Sequence, residues 1–170
     1  DTETTGLDSN VEALTEIGAV YVENGKINPD KSFCTFVNPG KPIPQKVVEL
    51  TGINDSMVAD APTPAEAIRQ FKEFCGDNIL VAHNANSFDM LFIRKAGDKA
   101  GVDFSNTYID TLPMAQALFP GLHNYKLDTI NKHLEIQPFN HHRAVDDAMA
   151  LARIFEVMLS DLKEKDMTTV

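Results

Sequence analysis

Asp1 and Glu3 stand two residues apart at the head of the chain, Asp89 lies in its middle, and His142 and Asp147 sit five apart near its end. These residue types suit one kind of chemistry. Carboxylate oxygens are hard ligands that favour Mg²⁺ or Mn²⁺, and a loop histidine titrating near neutrality can act as a general base. In an extended strand, the Asp1–Glu3 spacing puts both side chains on one face. Two carboxylates so placed repel unless a cation sits between them. Each residue also has a plainer reading alone: a solvated acidic chain end, a first-turn aspartate favoured by the helix dipole, an exposed loop histidine.

The residues around each candidate sharpen the pattern. Thr4, Thr5, Gly6 and Leu7 follow the first two acids directly; glycine permits a tight turn with backbone open to a ligand, and Leu7 is placed to lie against an apolar ring such as a base. Residues 83–90 read HNANSFDM, with an apolar strand ending at His83 and Asp89 in the first turn of the next helix. Residues 142–147 read HRAVDD. At ~100° per residue, Asp147 falls at the edge of the apolar face formed by Ala148, Leu151, Ala152, Phe155, Met158, Leu159 and Leu162, and Asp146 points away from it. An unpartnered carboxylate on the core side is expensive, and a metal would relieve that cost. His141 competes with His142 as the base. His123 and His133 read as surface or cap residues, and Asp110 as a helix cap at a strand end.

These positions must be gathered by the elements between them. Residues 14–22 are β-rich and end at Asn24-Gly25, a hairpin signal, with 32–37 as the partner strand. A short helix is expected at 44–50, ending before Gly52. Thr63-Pro64-Ala65-Glu66 reads as a capping box with proline at the first helical position, opening a helix with Ala67, Ile68, Phe71, Phe74 and Cys75 on one face. Strands at 79–82 and 107–109 and helices at about 87–100, 112–118, 127–133 and 144–163 complete the pattern. Strands alternating with helices after an opening hairpin indicate an α/β domain with a mixed sheet. The acid pair at the chain's head calls for a hydrophobic strand upstream of Asp1, so 1–170 is expected to be one domain, cut from a larger protein, with its first strand missing.

The bulk properties are those of a globular protein: 170 residues, 43% hydrophobic and 24% charged, enough for one sizeable core. No apolar run approaches the ~20 residues a membrane helix needs, and a signal peptide is not expected. Cys34 and Cys75 lie far apart without other ligands at metal spacing, and are expected as buried thiols in a reducing cytoplasm. The net charge of −10 offers no basic face for nucleic acid. Either nucleic acid is not the substrate, or metal ions and a larger partner supply the positive charge.

Taken together, Asp-x-Glu-Thr-Thr-Gly, then His-Asn followed by Phe-Asp, then His-x₄-Asp resemble the DnaQ-like 3′→5′ exonucleases of the DEDDh type. The segments at 49–55 (ELTGIND), 77–85 (DNILVAHNA), 109–112 (IDTL) and 140–148 (NHHRAVDDA) are similar to the proofreading exonuclease domain of PolC-type bacterial DNA polymerase III. One departure is visible: Asn86 and Ser87 both stand between Ala85 and Phe88, one residue more than the family pattern, and this is expected to be absorbed at the helix start. The resemblance implies a ribonuclease H-like fold, with a mixed five-stranded sheet flanked by helices. It implies two divalent ions, Mg²⁺ or Mn²⁺, held by Asp1, Glu3, Asp89 and Asp147, with His142 as general base. It implies that Thr2, Thr4, Gly6, Leu7, His83, Asn84 and Phe88 hold the terminal nucleotide. The expected substrate is a single-stranded or frayed DNA 3′ end, released as nucleoside 5′-monophosphates. The expected partners are polymerase domains of the same chain or complex, without a membrane. The rivals are a stand-alone exoribonuclease of the same superfamily and a metal-free interaction module. A structural Ca²⁺ site fits poorly, because the acids form no compact loop.

Overall fold

Backbone pairing begins at the acids themselves. The computed structural model describes residues 1–136 and 142–165. In it β1 (Thr2–Thr4) runs antiparallel to β2 (Leu14–Glu23), and β2 antiparallel to β3 (Lys26–Phe36). The hairpin turn has Asn24 and Gly25 both at positive φ, 54° and 75°, the conformation that keeps the twist of flanking strands in register. β3 starts directly after this turn rather than at 32. Its first residues are polar and largely exposed, so no alternation announced them, and a register shift between Val20 and Tyr21 accommodates them.

The helices follow as α1 (Gln45–Thr51), α2 (Asp55–Val58), α3 (Pro64–Cys75), α4 (Asp89–Ala100), α5 (Thr111–Leu118), α6 (Leu127–His133) and α7 (Ala144–Glu164). α3 opens on the expected capping box, with the Thr63 and Glu66 side chains bonded reciprocally to backbone N–H groups. α2 has only four residues, too few to show a period, and is held by the Asn54 side chain accepting from Met57 N–H. Between helices lie β4 (Leu80–Ala82) and β5 (Tyr108–Asp110), which pair in parallel.

Among the described residues five strands form two sheets, β1-β2-β3 and β4-β5, where a single five-stranded sheet was expected. β2 and β4 face each other across an apolar cleft of about 500 Å³, lined by residues such as Val20, Val81, Met90 and Phe155. One core, including Leu14, Ile17, Ile68, Phe71 and Phe92, joins β2 to α3 and α4. A second, with Ala115, Ile130, Ile154 and Met158, joins α5 and α6 to α7. α7 therefore packs on two sides: its buried stripe includes Ala150 and Ile154 as well as Ala148, Leu151, Ala152, Phe155 and Met158 of the expected face, while Leu159 and Leu162 are half-buried. The expectation of two buried thiols is corrected: Cys75 is buried, but Cys34 is exposed, because it lies on the edge strand β3. Among the described residues, no helix is long and apolar enough to cross a membrane.

α7 reaches β2 at one very close point. A Cβ on Gly18 would lie 2.2 Å from the Ala144 carbonyl carbon and 2.2 Å from the Val145 nitrogen. Those atoms belong to the first turn of the helix and cannot rotate away, so overpacking must move the whole helix end. Gly18→Ala is expected to destabilise the domain by about 3 kcal/mol or more, read as a lowered urea midpoint with an unchanged slope; a midpoint equal to wild type would contradict this contact.

Candidate active site at the junction of sheet and last helix

Strand pairing fixes the first two acids. Asp1 exchanges two backbone hydrogen bonds with Gly18, its N–H donating to Gly18 O at 2.9 Å and its O accepting from Gly18 N–H at 3.0 Å. Glu3 stands opposite Glu16. Residues directly opposed in a ladder project to the same face, so Asp1, Glu3, Glu16 and Gly18 share one, and this is the face on which the amino end of α7 rests. The helix delivers Asp147, which is only 9% exposed. One carboxylate oxygen from each of Asp1, Glu3 and Asp147 lies within 4.8 Å of the others.

Asp89 is adjacent but not part of that trio. It sits in the first turn of α4, 3% exposed, with its Oδ1 accepting from the Thr2 hydroxyl at 2.8 Å. It is still close enough to act electrostatically on Glu3. Burial first, then the charges of Asp147, Glu16 and Asp89, push the Glu3 carboxyl up from 4.5 to about 7. The Asp147 Oδ2 accepts the backbone N–H of His142 at 2.9 Å. His142 is exposed and adopts a left-handed backbone, φ 66°. The residue thus stays beside Asp147 through its main chain while its ring is accessible to solvent. His141 lies outside the described residues. Asp146, expected on the solvent side, is half-buried.

The donor set is all oxygen, from three carboxylates crowded where water is partly excluded. Such a cluster is unfavourable without positive charge, and its composition fits a small hard cation rather than a thiolate- or imidazole-seeking metal.

The residues expected around a terminal nucleotide divide into two groups. Leu7 is 85% exposed on the loop after β1, free to meet an apolar ring. That loop is braced: the Thr4 hydroxyl donates to Gly6 O at 2.6 Å, the Thr5 hydroxyl donates to Glu12 at 2.5 Å and accepts from Ala13 N–H at 3.0 Å. At Gly6 a Cβ would meet the Glu12 side chain at 2.9 Å, so this glycine serves close packing as well as the turn. The Thr2 hydroxyl is committed to Asp89. His83 is held at both ring nitrogens, by the Thr111 hydroxyl at 2.9 Å and Tyr125 O at 2.7 Å, which braces the end of β4 against the segments that follow. Phe88 packs on Phe92, ring centroids 5.1 Å apart, against the first core. Asn84 is exposed, at φ 60°, with its N–H donating to Asp110 Oδ1 at 2.9 Å.

Asp110 does more than cap α5. Besides accepting from Leu112 N–H, it accepts from the N–H groups of Asn84 and Asn86. This clamp restrains the segment that contains the extra residue: positions 83–88 form turns, and the helix begins at Asp89 itself. Glu16 is the functional candidate that sequence reasoning missed. A lone charge inside an otherwise apolar strand, LTEIGAVYV, was the available signal, since a buried carboxylate needs partners.

The chain matches the family model described as Exonuclease over residues 1–155. It is 46% identical over 170 residues to the PolC-type DNA polymerase III of Caldanaerobacter subterraneus subsp. tengcongensis, covering all of this chain and 12% of that protein. It therefore spans about an eighth of the length of such relatives. Among solved structures it is similar to Exonuclease X in complex with 5′ overhanging duplex DNA, with a TM-score of 0.75 and 27% identity over 94% of this chain and 89% of that one. E. coli Exonuclease I in complex with a dA16 oligonucleotide gives a TM-score of 0.82 at 17% identity, over 96% of this chain and 40% of that one. The fold is accordingly the ribonuclease H-like one. With its acid trio at the start of β1 and on α7, its DxETTG opening and a family match across nearly its whole length, this chain belongs to the exonuclease family.

Proposed function

We propose that this chain is the proofreading 3′→5′ exonuclease domain of a PolC-type DNA polymerase III, removing nucleoside 5′-monophosphates from a single-stranded or frayed DNA end. The observation that carries the reading is the convergence of Asp1, Glu3 and Asp147, with Asp89 beside them and His142 tied to Asp147. Two divalent ions, Mg²⁺ or Mn²⁺, fit this set: Asp1, Glu3 and Asp147 would hold one, and Asp1 with Asp89 nearby the other. Bound there, such ions lower the pKa of a bound water and stabilise the leaving oxygen.

The remaining work falls to the chain's own groups. His142 takes the proton of the attacking water at a ring nitrogen, and its exposed position lets it reach solvent to discharge it. Leu7 lies against the terminal base. Thr2 keeps Asp89 oriented, and the braced loop at residues 4–13 fixes where the terminal nucleotide stops. The net charge of −10 makes weak binding of free duplex the expectation, so polymerase domains of the parent protein deliver the frayed end. The DNA-bound neighbours and the PolC-type relatives support DNA as substrate and a role in replication.

Asp147→Ala is expected to abolish release of mononucleotides from single-stranded DNA with Mn²⁺ while the circular dichroism spectrum and melting curve remain those of a folded domain; retained activity in a folded variant contradicts the site. His142→Ala should slow hydrolysis by about 10²–10⁴-fold with Mn²⁺ still bound by calorimetry, and an unchanged pH–rate profile would remove its assigned role. Glu3 provides a pH test on metal-free protein. Its carboxyl is raised to about 7 from 4.5, so between those pH values the folded state holds a proton that the unfolded state has lost. Stability then falls as pH rises through that window and is flat above it. In chelator, urea denaturation should show wild type losing stability relative to Glu3→Gln from pH 4.5 to 7; a difference independent of pH contradicts the crowding of acids.

A further inference from the structure

Glu16 is the most completely buried charge among the described residues, at 0% exposure, and no step above uses it. Both of its oxygens are occupied. Oε1 accepts from Arg143 Nη2 at 2.8 Å and Nε at 3.2 Å, and Oε2 from Arg143 Nε at 3.2 Å and from the Ala144 backbone N–H at 2.9 Å. The Arg143 guanidinium also lies over the Phe36 ring, 5.2 Å from its centroid. Glu16 is therefore saturated by donors and is not a further metal ligand, although it stands opposite Glu3 in the ladder.

The position of these donors is informative. Arg143 and Ala144 are the cap and first residue of α7, between His142 and Asp147. The Arg143 carbonyl accepts the Asp147 N–H at 2.9 Å, and Asp147 in turn holds the His142 N–H. One buried carboxylate thus grips the segment that carries two proposed site residues. Two positions along β2, Gly18 lets the helix backbone come against the strand. Gly18 allows the approach, and Glu16 fixes its direction: a planar fork and a backbone N–H bound together define where the helix end sits and how it is rotated. Stability alone is a poor reason for the pair, since apolar residues of like volume serve a buried contact as well or better.

We infer that Glu16, through its fork with Arg143 and its bond to the Ala144 N–H, is a positioning residue that sets Asp147 against Asp1 and Glu3 and keeps His142 beside it. The inference rests on the site reading proposed above. Glu16 touches neither substrate nor reacting atoms; it acts through the first turn of α7.

The test uses this 170-residue chain, a labelled single-stranded DNA oligonucleotide and Mn²⁺. Arg143→Lys keeps the charge but loses the fork, and the arginine side chain is 38% exposed, so the variant is expected to fold. Its kcat should fall roughly 10- to 100-fold, with KM for the oligonucleotide near that of wild type, and its Mn²⁺ affinity by calorimetry should weaken. Glu16→Gln, which still accepts the Ala144 N–H, should show a smaller loss, and the double variant should be no worse than Arg143→Lys, because the two residues act as a unit. Wild-type kcat and Mn²⁺ affinity in Arg143→Lys would overturn the inference. So would a kcat loss that vanishes at temperatures where the variant is fully folded, or additive effects in the double variant. A wild-type chain that neither binds Mn²⁺ nor cleaves overturns the site reading itself; an active wild type with an indifferent Arg143→Lys overturns only the role of Glu16.

Discussion

The close approach of α7 to β2 is the constraint on which the site depends. The acids at the head of the chain and Asp147 are more than a hundred residues apart in sequence, and only the meeting of a strand face with a helix end brings them together. That meeting is possible because β2 presents Gly18, with no side chain, where the helix backbone arrives. The same strand presents a buried carboxylate to the first N–H of that helix. Helix amino ends carry unsatisfied N–H groups and partial positive charge, so Glu16 serves both needs at once. Sheet and helix are thereby joined by directed polar bonds next to the place where geometry matters most.

The cost of the arrangement is electrostatic. One oxygen from each of three carboxylates lies within 4.8 Å of the others, with Asp89 and Glu16 nearby, and the raised Glu3 pKa reflects burial first and then the neighbouring negative charges. A core chosen for stability alone would not place these groups together. The crowding is instead what gives the site its attraction for divalent cations, because every ion bound relieves repulsion that already exists. The fold offsets it elsewhere, through the apolar contacts on both sides of α7 and the capping box of α3.

Much of this was legible in the sequence, for identifiable reasons. The hairpin, the capped α3 and the long α7 carry local signals: a turn dipeptide, a reciprocal cap and a sustained helical period. The placement of Asp147 followed from its phase on α7, since the period alone set it at the edge of the buried stripe. What stayed hidden depends on contacts between distant segments. The polar first half of β3 pairs through its backbone and shows no alternation. The division into two sheets depends on which strands lie edge to edge, which no local pattern reports. His83 reads as a pocket residue beside Asn84, and its bonds to Thr111 and Tyr125 join segments distant in sequence that no local pattern connects. Asp110 was visible as a cap, but its second task, restraining the turn before α4, needs the partner loop to be in view.

The main-chain anchor of His142 has a consequence for how the site tolerates change. Asp147 Oδ2 accepts the N–H of residue 142 and not a group of its ring. Any residue except proline supplies the same donor. A substitution there exchanges the imidazole and leaves this bond available, so chemistry and scaffold at this position are separable.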